Sequence, residues 1–281
     1  MATIKQLLAD GESALPESDS ARLDAEILLA CVIRKSRTWL YTWPEHIPNF
    51  SEQHLYLDLV RRRQTGEPIA YLTGRREFWD LELKVNSHVL IPRPETEVLV
   101  ETVLQTLAQV EHARIADLGT GSGAIALALA HQKPDWELTA TDIANEALEL
   151  AAENAKLYAI KNIHFCQGSW LSPLAGLTFT AIVSNPPYIE VGDEHLNRGD
   201  VRFEPEHALV SADNGLADIR IIASQSGAHL EANGWLMVEH GYLQGEDARR
   251  IFQESGFSAV ETIKDLAGLE RITIGQLKDE R

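Results

Sequence analysis

Apolar and polar positions follow two different rhythms along the chain. Up to about residue 70 the spacing is helical. Residues 4–9 read as a short helix stopped near Gly11, and residues 20–33 as a helix with Leu23, Ile27 and Cys31 on its inner face. Ser51 is placed to cap a helix carrying Leu55, Leu59 and Val60, with Gly66 after its end and Pro68 beyond. Trp39, Tyr41 and Trp43 are expected to fill this small core. In residues 76–91 the apolar positions Phe78, Leu81, Leu83 and Val85 suggest a hairpin turning near Asn86-Ser87. Pro92 and Pro94 then open a helix with Leu99, Val103 and Leu107 inside.

From residue 113 onward, short apolar runs alternate with helical stretches. Strands are expected at 114–118, 137–141, 163–167, 179–184, 234–240, 258–264 and 271–277. Such alternation implies an α/β fold, a mostly parallel sheet with helices on both faces. The predicted organisation is a helical domain (1–73), a hairpin linker (74–92) and an α/β domain (93–281). The polar stretch 189–215 reads as an ordered substrate loop or a lid.

Two motifs carry chemistry. The strand Ile115–Leu118 runs into Gly119-Thr120-Gly121-Ser122-Gly123, then into the apolar helix Ala124–Ala130. Glycines at alternate positions permit positive φ and close approach of a ligand to backbone. A second strand ends in Asp142, whose carboxylate can accept ribose hydroxyls. The loop also satisfies the loose dinucleotide pattern, so a nicotinamide and an adenosyl cofactor both remain open. Asp117 favours the adenosyl one, because a pyrophosphate disfavours a nearby carboxylate and a methionyl ammonium attracts it.

The second motif is Asn185-Pro186-Pro187-Tyr188, after the apolar run Ala181–Val183. Two prolines fix φ twice and remove two donors, and each holds the preceding residue extended. The Asn185 side-chain oxygen and the Pro186 carbonyl then suit the two donors of a planar amino group. Tyr188 offers a ring face for stacking. Asn185, Pro186 and Tyr188 are the candidate catalytic residues, and Asn185 also borders the expected cofactor site.

These residues resemble the motifs of class I S-adenosylmethionine-dependent methyltransferases that act on amino groups. Further segments narrow the resemblance: Arg75–Trp79, Leu90–Glu97, Gly199–Pro205 and Glu239-His240-Gly241 are similar to those of the peptide chain release factor glutamine methyltransferase family. The resemblance runs through nearly the whole chain. It implies a Rossmann-like seven-stranded sheet whose last two strands pair antiparallel. It implies S-adenosyl-L-methionine as cofactor, S-adenosyl-L-homocysteine as product, and the glutamine of a Gly-Gly-Gln loop in release factors as substrate. Asp117, Gly119, Thr120, Gly121, Ser122, Gly123, Asp142, Trp170 and Asn185 are then expected to bind cofactor, with Trp170 beside the adenine. Asn185, Pro186, Pro187, Tyr188 and Arg93 are expected to bind substrate.

Other assignments stay open. Arg93 and Glu97 either line the methionyl end of the site or simply start a surface helix. Arg202–Pro205 either presents a charge pair to substrate or orders the 189–215 loop. Glu239-His240 ends a strand at the edge where ligands gather. Arg61-Arg62-Arg63 reads either as a solvated helix end or as a contact with ribosomal RNA or a partner.

The 42 acidic against 25 basic residues give a formal charge of −17. That balance argues against duplex DNA, whose enzymes carry a basic footprint. Cys31 and Cys166 read as reduced core residues, and no metal-ligand spacing appears. No leader pattern is visible and no apolar run approaches the ~20 residues of a membrane span, so a cytoplasmic location is expected. The alternatives are a ribosomal-protein glutamine methyltransferase, an adenine-specific nucleic-acid methyltransferase, and a non-catalytic nucleotide-binding module. The intact Asn-Pro-Pro-Tyr turn, for which binding alone has no use, stands against the last.

Overall fold

The computed structural model describes residues 1–197 and 199–278; Arg198, within the polar stretch 189–215, and residues 279–281 lie outside the described residues. Two compact units are present: residues 1–75 with 197–203, and residues 76–196 with 204–281.

The smaller unit holds helices α1 (Ile4–Ala14), α2 (Ala21–Ile33), α3 (Arg37–Thr42), α4 (Phe50–Gln64) and α5 (Ile69–Thr73). Thr3 with Gln6 and Asn49 with Glu52 form reciprocal capping boxes, which satisfy orphan N–H groups at the starts of α1 and α4. The cap of α4 is thus Asn49, two residues before the Ser51 expected from sequence. Gly11 does not stop α1. It sits inside the helix, where an added Cβ would come 1.9 Å from the Tyr56 hydroxyl, so its role is close packing.

The inner face of α2 also differs from expectation. Leu23 and Cys31 are exposed, while Ala25, Leu28 and Leu29 are buried with Asp24 and Glu26. The two acids are tolerated there because Arg63 pairs with Asp24 at 2.8 Å, and Arg22 and Arg37 pair with Glu26 at 2.7 Å each. Arg63 is therefore half of a buried pair, whereas Arg61 remains solvated. Leu40 and Tyr56 fill the core in place of Tyr41 and Trp43, which are exposed.

In the larger unit, β1 (Arg75–Phe78) and β2 (Leu81–Lys84) form a two-stranded sheet. The hairpin turns at Trp79-Asp80, not at Asn86-Ser87, and Trp79 takes φ +55°. The Glu97 carboxylate accepts the Trp79 N–H at 2.9 Å, which holds that turn. Asn86 instead makes a separate turn, its carbonyl accepting the Val89 N–H at 3.2 Å.

The remaining elements are α6 (Glu97–Thr106), β3 (Arg114–Leu118), α7 (Ala124–Gln132), β4 (Glu137–Asp142), α8 (Asn145–Leu157), β5 (Ile163–Gln167) and β6 (Phe179–Ser184). They continue with β7 (Ile189–Glu190), β8 (Val210–Ser211), α9 (Ala212–Gly215), α10 (Ala217–Ser226), β9 (Leu230–Glu239), α11 (Gly245–Glu254), β10 (Phe257–Lys264) and β11 (Glu270–Leu277). The main sheet runs β10-β11-β9-β6-β3-β4-β5, parallel except for the antiparallel pairs β10–β11 and β11–β9. β9 starts at Leu230, four residues before the sequence reading, and ends at Glu239.

The strand runs are apolar on both faces because both faces are covered. Ile115, Ala181 and Val183 pack with Leu99, Val103 and Leu127 of α6 and α7. Ala116, Leu118 and Ile182 pack with Ile219 and Phe252 of α10 and α11. Strand order reverses beside β3: β4 lies on one side, β6 on the other. Open α/β sheets bind ligands in the crevice outside the carboxyl ends of such strands. Among the described residues of the stretch 189–215 are β7, β8 and several tight turns, and Glu204 within it is buried.

Candidate active site

A cavity of about 360 Å³ opens at that reversal point. Its walls come from the loops after β3, β4, β5 and β6, from the segment before α6, and from His207, Ala208, Val210 and Asp218. Gly119, Thr120, Gly121, Ser122, Asp142, Trp170, Asn185, Pro187 and Arg93 all line it. Asp117, Gly123, Pro186 and Tyr188 do not.

The glycine loop is shaped by backbone. Gly119, Gly121 and Gly123 have φ of +71°, +55° and +86°. A Cβ on Gly119 would lie 3.2 Å from the Trp170 ring, narrowing the cavity at the indole. A Cβ on Gly123 would strike Leu127 at 2.8 Å, so this glycine serves helix packing and stands behind the wall. The Gly119 and Thr120 N–H groups both donate to the Thr141 carbonyl at 2.9 Å. Asp142 is buried; one carboxylate oxygen accepts the Gly121 N–H and the other the Ala144 N–H, each at 2.9 Å. Each oxygen keeps a further lone pair for a ligand hydroxyl. Ile143, 63% exposed, adds an apolar wall next to it.

Asp117 lies beneath the loop. Its Oδ2 accepts from the Thr120 hydroxyl at 2.6 Å and the Ala126 N–H at 3.2 Å. Oδ1 is buried and, among the described residues, has no hydrogen-bond partner. Burial pushes this carboxyl up to about 7, against the two hydrogen bonds.

Asn185 presents the most telling geometry. Its Nδ2 donates to the Thr96 hydroxyl oxygen at 3.0 Å. Its Oδ1 is buried and, among the described residues, accepts nothing. A buried unpaired acceptor on a cavity wall is costly unless a ligand completes it. Beyond it, Gln244 donates to the Tyr188 carbonyl at 3.1 Å and the Asn214 carbonyl at 3.0 Å, and accepts the Gly241 N–H at 2.8 Å. One side chain thereby fastens the end of the Asn-Pro-Pro-Tyr turn to two neighbouring loops. The Tyr188 hydroxyl is held above its usual range, first by burial and then by the Glu239 carboxyl nearby.

Curated relatives match this chain over almost its full length. A release factor glutamine methyltransferase of Vibrio cholerae is 52% identical over 94% of this chain and 92% of its own. One from Pseudomonas aeruginosa is 50% identical over 98% and 99%, and one from Escherichia coli 51% over 96% and 97%. The chain belongs to the release factor glutamine methyltransferase family. Family profiles agree: residues 6–74 match the PrmC N-terminal domain and residues 94–201 the methyltransferase small domain. Among solved structures, a methyltransferase from Pyrococcus furiosus aligns with TM-score 0.53 at 18% identity, over 78% of this chain and 98% of its own. The catalytic domain of hMettl16 aligns with TM-score 0.58 at 14% identity, over 83% and 84%. These two show the shared methyltransferase fold.

Within the release factor glutamine methyltransferase frame, the open residues find places. Arg93 lines the cavity and pairs with Glu204 at 2.6 Å, and Glu204 also accepts the Ile91 N–H at 3.2 Å. Glu204 thus ties the 189–215 stretch to the segment before α6. Arg202 donates to the Thr65 carbonyl within the smaller unit. His240 is not at the cavity. Its Nδ1 donates to the Gly241 carbonyl and its Nε2 accepts from the Thr273 hydroxyl, both at 2.9 Å, and burial holds it below the ordinary range. Both ring nitrogens are occupied, so it is a structural residue. Cys31 is exposed and so is not the core residue expected, whereas Cys166 is half-buried and packs against the core around Leu118 and Phe179. Thr96, Ile143 and Gln244 escaped the sequence reading. Thr96 lies inside the segment Leu90–Glu97 that carried the family resemblance; the other two gave no signal. Among the described residues no helix is long and apolar enough to cross a membrane.

Proposed function

We propose that this protein methylates the side-chain amide nitrogen of the glutamine in the Gly-Gly-Gln loop of peptide chain release factors, with S-adenosyl-L-methionine as donor. The observation that carries this reading is Asn185: Nδ2 committed to Thr96, Oδ1 open, on the wall of a cavity shared with the glycine loop and Asp142. The glycine loop, Asp142, Ile143 and Trp170 suit an adenosyl group. Two features support this: a gap that a Cβ at Gly119 would narrow, and carboxylate lone pairs beside an apolar wall.

An amide nitrogen is a poor nucleophile because its lone pair is delocalised into the carbonyl. When bound, the cofactor supplies a methyl group that carries its own leaving group. The protein's task is therefore alignment. Asn185 Oδ1 accepts one N–H of the glutamine amide, and the carbonyl of Pro186, which lies between the lining residues Asn185 and Pro187, is proposed to accept the other. Pro187 leaves that carbonyl without a competing neighbouring N–H. Holding both protons fixes the nitrogen and turns its lone pair toward the methyl. Positioning of this kind can supply about 7–11 kcal/mol. No strong base is required beforehand, because the proton becomes acidic once the nitrogen is methylated. Tyr188, next along the chain from the lining residue Pro187, is proposed to orient the amide plane.

The helical unit is proposed to grip the release factor away from the glutamine. It exposes Tyr41, Trp43 and Phe50, large apolar side chains suited to a protein surface. Remote contacts of this kind raise turnover by orienting the reacting centre. One assay with labelled methyl donor tests the reading on three substrates: folded release factor, a short Gly-Gly-Gln peptide and duplex DNA. Methylation of the release factor glutamine, weak for the peptide and absent for DNA, is expected. Strong DNA methylation, or equal rates on protein and peptide, overturns it.

A further inference from the structure

The segment before α6 brings a guanidinium to the cavity wall. Pro92 and Pro94 flank Arg93, and the proline that follows holds it extended, at φ −93° and ψ 142°. Its side chain pairs with Glu204, which is 7% exposed. One Glu204 oxygen accepts an Arg93 Nη2–H at 2.6 Å, and the other accepts the Ile91 N–H at 3.2 Å. Backbone and side chain of Arg93 are thus both held. Among the described residues the guanidinium makes no other hydrogen bond, although an arginine has five N–H donors. Arg93 and Asn185 line the same cavity. Its wall therefore offers open donors as well as an open acceptor, Asn185 Oδ1.

Three kinds of acceptor on the reactants compete for these donors: the carboxylate of the cofactor, the amide oxygen of the glutamine, and the peptide carbonyls of the two glycines. The carboxylate fits poorly. Glu204 already matches the Arg93 charge, and a second anion is repelled by it. The amide oxygen is excluded by the chemistry. A donor there draws the nitrogen lone pair further into the carbonyl and makes the nitrogen a poorer nucleophile. A glycine carbonyl has neither fault, and glycine lets a protein group come close to its backbone.

We propose that Arg93, held by Glu204, donates to a peptide carbonyl of the Gly-Gly pair in the substrate loop. Arg93 is then a specificity-determining residue and Glu204 its positioning residue. The inference rests on the release factor reading given above.

The test uses the full-length enzyme, folded release factor, and short Gly-Gly-Gln peptides, natural or with a thioamide in place of either glycine carbonyl. Sulfur is a weak acceptor. Wild type should methylate one of the thioamide peptides about tenfold less efficiently than the natural one, as for loss of one hydrogen bond from a charged donor. The double variant Arg93→Met with Glu204→Gln removes both charges and leaves the net charge of the wall unchanged. It should raise KM for release factor about tenfold with little change in kcat, and should treat natural and thioamide peptides alike. Cofactor affinity, read by calorimetry, should stay within about twofold, since no contact to the cofactor is removed. Glu204→Gln alone keeps an oxygen for the Ile91 N–H and turns its NH2 toward Arg93, donor against donor, so KM should rise part of the way. Melting curves confirm that each variant is folded. Equal rates of wild type on all the peptides overturn the inference without any variant. A fall in cofactor affinity at unchanged KM also overturns it and assigns Arg93 to the cofactor carboxylate. A wild-type KM in folded Glu204→Gln removes Glu204 as the positioning residue. If wild type leaves release factor unmethylated, the substrate reading itself fails; if it methylates release factor but ignores the thioamides, only this inference does.

Discussion

The glycine loop and the Asn-Pro-Pro-Tyr turn sit at the carboxyl ends of neighbouring parallel strands, with Leu118 of β3 opposite Ser184 of β6. They are rigid by opposite means. The loop uses three residues with positive φ and closes its hydrogen bonds on the protein: Gly119 and Thr120 on the Thr141 carbonyl, Gly121 on Asp142, and the Thr120 side chain on Asp117. The turn uses two prolines that forbid backbone donation, and leaves one side-chain acceptor, Asn185 Oδ1, without a partner among the described residues. One region makes a shaped space by omitting side chains. The other aims a single oxygen. Damage to the first should therefore appear in cofactor affinity, and damage to the second in turnover.

Asn185→Ala gives the sharpest break. Removing an oriented polar group that acts on the reacting centre costs about 100-fold or more in kcat. Cofactor binding, measured by calorimetry on the same variant, should change far less. An equal loss in both would erase the distinction between the two regions. Asp142→Ala should do the reverse and weaken S-adenosylmethionine binding by about 1.5–3 kcal/mol, the range for hydrogen bonds to a charged group. Unchanged affinity would take Asp142 out of the cofactor's reach. Gly119→Ala is milder. It asks a non-glycine residue to hold φ +71° and brings a methyl 3.2 Å from Trp170. A loss of about tenfold in cofactor affinity is expected from strain and crowding together. A turnover defect with normal affinity would contradict the account of the loop.

The two regions were also unequally legible elsewhere in the chain. Strands such as Ile115–Leu118 and Ala181–Val183 are buried on both faces, so they show as plain apolar runs. The inner face of α2 was missed for a physical reason. Two of its seven buried residues are acids, Asp24 and Glu26, and they are buried against arginines, of which Arg37 and Arg63 come from other helices. Counting apolar positions selected Leu23 and Cys31 on the opposite, exposed side. Trp79 at φ +55° is not a residue type that announces a turn, so apolar spacing alone puts the hairpin turn later, near Asn86-Ser87. Within the site, backbone devices made of glycine and proline were readable, because their constraint is local. Thr96 and Gln244 act by reaching other loops, Thr96 to Asn185 and Gln244 to Tyr188, and no local pattern encodes such reach.

The smallest effect compares the acid beneath each region. Asp117 under the loop and Glu239 behind the turn are both pushed up to about 7, first by burial. In the unfolded chain such carboxyls titrate near 4. Between these values the folded protein holds more protons than the unfolded one, so stability falls as pH rises. The contribution of each group is whole below its unfolded value and gone above about pH 7. His240 works the other way: its value is lowered, so it favours the folded state more as pH rises toward the ordinary histidine range. The clean quantity is therefore the difference between wild type and a variant, in which His240 cancels. Melting temperatures of wild type, Asp117→Asn, Glu239→Gln and the double variant should be recorded from about pH 5 to pH 8. Each single variant should flatten the decline seen in wild type by a few degrees, since ~1 kcal/mol moves the midpoint of a domain this size about 2–4 °C. The double variant should flatten it by roughly the sum, because the Asp117 hydrogen bonds, to Thr120 and Ala126, do not involve Glu239. Parallel curves for wild type and the double variant would show that neither carboxyl carries its proton into the neutral range. A flattening confined to one variant would show which region encloses its acid more completely.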